Sequence, residues 1–118
     1  MARGRLLDWL MPKRTPSGPP VDILASEIGE VGKTEAPWFL VDLRDMSAFR
    51  KGHIKGSHLI PYLELTRRMH EIPKNCMVVT VDTSERRGRQ AAKLLRGDGY
   101  NARNLKGGIG GWPGKLVK

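Results

Sequence analysis

The chain has 118 residues, 39% hydrophobic and 28% charged, with a net charge of +9. This composition fits one soluble globular domain and excludes a disordered chain. No apolar run approaches the ~20 residues that span a bilayer, and a single cysteine, Cys76, excludes an internal disulfide framework or a multi-thiolate metal site.

The charge is uneven. Residues 1–20 carry +3, residues 21–83 carry −1 and residues 84–118 carry +7. Met1 to Met11 is a short amphipathic stretch, with Leu6, Leu7, Leu10 and Met11 at helical spacing beside Arg3, Arg5 and Asp8. So short a helix is marginal in water and needs a surface: its own domain, a membrane or a partner. Asp8 and the lack of a long apolar core argue against a secretory signal, so a cytoplasmic location is expected, with residues 1–12 a candidate contact for an anionic membrane. Lys13 to Pro20 reads as a Pro-rich linker, which divides the chain into a basic tail, 1–20, and a domain, 21–118.

From Val21 the pattern alternates. Asp22 is a candidate N-cap for a helix over 23–30. Trp38 to Val41 reads as a buried strand, Asp45 starts a brief helix through Phe49, and 57–60 reads as a second short strand. Pro61 opens a helix reaching about His70. Cys76 to Val81 is the clearest strand and Arg86 to Arg96 the clearest helix, ended by Gly97 and Gly99. Ala102 to Leu105 is a last strand. Strands alternating with helices predict an α/β fold with a mainly parallel sheet flanked by helices.

Four segments carry a resemblance: Leu40-Val41-Asp42-Leu43-Arg44; Gly52-His53-Ile54-Lys55-Gly56-Ser57 through Ile60-Pro61; Val78 to Leu95; and Leu105-Lys106-Gly107-Gly108-Ile109 with Trp112. In this order they resemble the signatures of the rhodanese-like domain family, over roughly residues 21–114. The resemblance implies a doubly wound domain with a site at the carboxyl edge of its sheet. It also implies sulfur transfer: a loop cysteine takes sulfane sulfur as a persulfide, cradled by backbone N–H groups and the following helix N-terminus, with an arginine five positions later.

Aligned from the strand or backward from Ala91-Ala92-Lys93-Leu94-Leu95, the cysteine position falls at Asp82, and the loop reads Asp82-Thr83-Ser84-Glu85-Arg86-Arg87. Arg87 stands at the family's arginine position. A carboxylate cannot form a persulfide, so no catalytic residue is assigned. Asp82 is expected to accept loop N–H groups and pair with Arg87, occupying the seat of the anion. Cys76 lies ~20 Å away at the other end of the strand, and Ser84 has no evident base beside it. Asp42, Arg44 and His53 edge the site and are expected to brace it, and Trp112 to pack. His53, His58 and His70 are not spaced as a metal set, and no cofactor is expected.

Arg86, Arg89, Lys93 and Arg96 share one helix face, opposite Gly88, Ala91 and Leu95. With Arg87 they form a candidate surface for an anion or a partner, the partner being an acidic protein or an anionic membrane. Aromatic residues are not interleaved, which disfavours nucleic acid. A Glu85 facing the loop would repel an anionic sulfur donor by roughly 1–4 kcal/mol at ~4 Å, holding back even an Asp82→Cys variant. The expected function is therefore a non-catalytic binding or regulatory module, with a sulfurtransferase-related enzyme or a basic membrane adaptor as alternatives.

Overall fold

A computed structural model describes residues 19–28 and 37–118. The amphipathic tail and most of the linker lie outside the described residues. The five strands are β1 (Asp22–Ile23), β2 (Trp38–Asp42), β3 (His58–Leu59), β4 (Met77–Val81) and β5 (Asn101–Leu105). They form one sheet in the order β1-β5-β4-β2-β3, and every pairing is parallel. The α-helices whose two ends both lie among the described residues are α1 (Met46–Lys51), α2 (Leu65–Arg68) and α3 (Glu85–Gly97). The expected α/β architecture is thus the observed one.

The sheet is buried on both faces, which is why β2 and β4 read as apolar runs rather than alternating ones. Val41, Val78 and Ala102 point to one face, where Leu65 and the Ala91, Ala92 and Leu95 side of α3 cover them. Leu40, Val79, Val81 and Leu105 point to the other, against Ile23, Ile28 and Ile54, with Ile109 and Trp112 packed on them. Gly88 lets α3 approach the sheet: a Cβ there would run into the buried Asn104 amide. Its carbonyl oxygen accepts from the fully buried Thr80 hydroxyl at 2.7 Å.

Two sequence expectations need correction. Asp22 does not cap a helix. It belongs to β1, paired with Asn104, and helical residues begin only at 25. Its carboxylate accepts from Arg89 Nε at 2.9 Å and from Asn104 Nδ2 at 3.1 Å. Glu27 instead accepts the Leu24 N–H at 2.8 Å, closing the helix start from within. The helix after Pro61 is also not continuous. It runs as a 3-10 turn (Tyr62–Glu64), α2 and a second 3-10 turn (Met69–Glu71). Its first free N–H, on Tyr62, donates to the Leu43 carbonyl at 2.9 Å. Asp45 does cap α1, accepting the Ala48 N–H at 2.8 Å.

The Asp22–Arg89 pair ties the edge strand to α3. The Arg89 bond holds the Asp22 carboxyl below its ordinary value of 3.8. A carboxyl lowered on folding stabilises the fold fully above its unfolded pKa and loses that contribution as pH falls through the folded one. Asp22→Asn is therefore expected to lower stability at neutral pH and to flatten the decline at acid pH, read by urea denaturation as a function of pH. An unchanged acid limb would contradict the pairing.

Candidate functional site

β2 leads through α1 to β3 on one side of the sheet, while β4 leads through α3 to β5 on the other. The chain thus diverges from the adjacent carboxyl ends of β2 and β4, and such divergence opens a crevice where α/β sheets bind ligands. Asp42 ends β2, and Asp82 follows β4 directly. Both carboxylates are buried.

Asp82 has no exposed surface. Its Oδ1 accepts three bonds: the Thr83 N–H at 2.6 Å, the Ser84 N–H at 3.2 Å and Arg87 Nη2 at 3.0 Å. The Asp82 bond holds the Arg87 guanidinium above its ordinary pKa. Ser84 is spent as the N-cap of α3, its Oγ accepting the Arg87 N–H at 3.3 Å. Arg87, half exposed, also lies 5.7 Å from the centre of the Tyr62 ring, and the Tyr62 hydroxyl donates to Gln90 at 3.0 Å.

The far side of the loop is closed by backbone. The Ile109 N–H donates to the Asp82 carbonyl at 3.0 Å. Gly108 has a φ of 63°, and a Cβ there would collide with that same carbonyl. The glycine pair Gly107-Gly108 was the sequence signal for this clamp, though not for what it grips.

Asp42 and Arg44 brace each other. The carboxylate accepts the Arg44 N–H and Nε at 3.0 Å each and Nη2 at 2.8 Å, and Nη2 also reaches the Gly52 carbonyl at 2.8 Å. The Asp42 bond, with a smaller contribution from the Asp82 charge, raises the Arg44 pKa. His53 Nδ1 bonds the Phe49 carbonyl at 2.8 Å, and its ring stacks on Phe49 at 3.7 Å. A contact the sequence reading missed lies here: the His53 backbone pairs antiparallel with Val117, bringing the C-terminal segment against the turn. No local pattern in 114–118 signals it.

Glu85 does not face the loop. Its carboxylate accepts from Arg89 Nη2 at 2.8 Å, one helical turn along α3. An arginine four residues on, itself fixed by Asp22, outcompetes the loop, so the repulsion expected of Glu85 is not built into the crevice. The basic stripe also needs correction. Arg89 is held by Asp22 and Glu85, and Arg96 donates to the Ala102 and Pro20 carbonyls at 2.8 and 3.0 Å. Arg86 and Lys93 are exposed and form no ion pair among the described residues. Cys76 is buried just before β4, at the end opposite the loop, and burial pushes its thiol pKa up. No group of metal-ligating side chains gathers among the described residues, and none of their helices is long and apolar enough to cross a membrane.

The rhodanese-like domain family matches residues 22–115. The chain is 37% identical over 78 residues to the uncharacterized protein YqhL of Bacillus subtilis, covering 65% of this chain and 62% of that one. It is 30% identical to the putative sulfur carrier protein YrkF of the same organism, over 64% of this chain and 42% of that one. A sulfurtransferase of Allochromatium vinosum is 38% identical over 62% of this chain and 69% of that protein. Among solved structures, reduced Bacillus anthracis CoADR-RHD superposes with a TM-score of 0.71 at 29% identity, over 82% of this chain and 18% of that one. A rhodanese-like domain protein of Staphylococcus aureus superposes at 0.72 with 24% identity, over 84% of this chain and 99% of that one, and shares the fold. The chain belongs to the rhodanese-like domain family.

The loop geometry makes a prediction of its own. Asp82→Ala leaves the Thr83 and Ser84 amides without their acceptor, and each such loss costs about 1–3 kcal/mol where water is excluded. Their hydrogen exchange should accelerate, while the Val78 and Val79 amides in β4 keep their protection. Unchanged exchange at 83 and 84 would show that the carboxylate does not hold the loop.

Proposed function

We propose that this domain is a non-catalytic binding or regulatory module in which the Asp82 carboxylate fills the seat that a persulfide takes in active members of the family. One observation carries the reading: a fully buried carboxylate at the carboxyl end of β4 takes the two loop N–H groups and the Arg87 guanidinium onto a single oxygen. Those donors would stabilise an anionic sulfur; here they are already satisfied. Sulfur exchange needs a polarisable thiolate, and a carboxylate oxygen does not replace one. The remaining thiol, Cys76, is buried at the opposite end of the strand with a raised pKa, which disfavours the thiolate. A cytoplasmic location belongs to the same proposal.

The names of the A. vinosum sulfurtransferase and the B. subtilis putative sulfur carrier favour a competing reading, sulfur transfer through some other thiol. Thiocyanate formation from thiosulfate and cyanide separates the two. The wild-type chain and Cys76→Ser are expected to give no turnover above background. Asp82→Cys places a thiol against the loop amides and the helix N-terminus and is expected to gain turnover. Because Glu85 is turned to Arg89, adding Glu85→Gly to Asp82→Cys is expected to yield less than about a tenfold further gain, that is, under 1.4 kcal/mol. Wild-type turnover that survives removal of contaminating enzyme would overturn the non-catalytic reading.

A further inference from the structure

A groove of about 530 Å³ runs between α2 and α3, on the outer side of the helices that cover the sheet. Thr66 and Met69 form one wall, Lys93 and Leu94 the other, and Gly97 and Asp98 the far end. At the near end the Tyr62–Gln90 bond joins the two ridges, one turn from Arg87. Leu94, part of its wall, is 46% exposed.

Gly97 lines the groove without a side chain. It is the last residue of α3, whereas the left-handed position that requires glycine is Gly99, with a φ of 92°. A Cβ added at Gly97 meets nothing within 4 Å. Its missing side chain leaves room in the groove.

The charges around the groove select its occupant. Every carboxylate along it is already countered: Glu64 by Arg67 at 3.3 Å and Arg68 at 2.9 Å, and Asp98 by Lys74 at 3.9 Å. Positive charge is left over. Lys93 and Arg86 form no ion pair among the described residues. A second copy of so basic a chain would meet like charge. We infer that the α2–α3 groove binds an acidic segment of a partner protein that lays a large aliphatic side chain between Met69 and Leu94 while its carboxylates meet Lys93. The inference rests on the reading of the domain as a binding module and identifies where the partner sits.

The test is an NMR titration of the full chain with a short synthetic peptide of glutamates and leucines, beside a matched peptide with serine for every leucine. The glutamate–leucine peptide is expected to shift the amides of Thr66, Met69, Lys93 and Leu94. The serine peptide, and the variants Lys93→Glu and Leu94→Ser, should each weaken binding by about tenfold or more, the loss of one well-seated anchor. Both substituted side chains are exposed, so the fold should persist, which the spectrum of β4 checks directly. Equal binding of the serine peptide would reduce the groove to a charged surface and overturn the inference. So would shifts centred elsewhere, absence of binding, or Leu94-dependent self-association in sedimentation velocity. Binding to phosphatidylserine vesicles through Lys93 and Leu94, with no peptide binding, would assign the surface to a membrane and overturn it too. Sulfur transfer by the same wild-type sample would defeat the non-catalytic reading while leaving the groove result standing, so the two failures are distinct.

Discussion

The structure turns on where β4 ends. At that point the chain must pass from the middle of a parallel sheet into a helix within three residues, leaving backbone donors pointed inward with no strand or helix to accept them. Asp82 supplies the acceptor. Its Oδ1 gathers the Thr83 and Ser84 amides and the Arg87 guanidinium, and its own carbonyl takes the Ile109 N–H. The loop, the start of α3 and the Gly107-Gly108 turn therefore share one residue as their common anchor.

That anchoring supports the proposed non-catalytic reading. A cradle of N–H groups at a helix N-terminus favours negative charge, and it is indifferent to whether the charge is carried by sulfur or oxygen. Filled by a built-in carboxylate, it becomes a structural element. Around it the second buried carboxylate, Asp42, is wholly engaged by Arg44, and His53 is engaged by Phe49 and Val117. The crevice thus keeps its framework with most of its polar groups turned on one another, though the buried Asp82 Oδ2 has no hydrogen-bond partner among the described residues, and the groove along α2 and α3 lies outside it.

How much of this could be read from sequence follows from the range of each interaction. β2, β4 and α3 were legible because strands buried on both faces need unbroken apolar runs and a covering helix needs small residues on one side, as at Gly88, Ala91 and Ala92. The Asp82–Arg87 pair was legible through the family resemblance, which sets Asp82 at the cysteine position and Arg87 at the arginine position five residues on. β1 was not. Asp22 looks like a cap by local rules, and the partners that claim it, Arg89 and Asn104, are 67 and 82 residues away. The same distant bond turned Arg89 toward Glu85, which no local pattern distinguishes from a Glu85 aimed at the loop. The basic stripe was read as a free surface for a related reason: periodicity gives the face of a helix but not the carbonyls of Pro20 and Ala102 that take up Arg96.

In the proposed reading no sulfur atom is taken up at this loop or at Cys76. Intact-mass spectrometry of the purified protein after incubation with thiosulfate reads this directly, with no acceptor needed. The account predicts an unchanged mass for the wild-type chain and a gain of one sulfur atom for Asp82→Cys. A gain of one sulfur atom by the wild-type chain, mapped by fragmentation to Cys76, would contradict it.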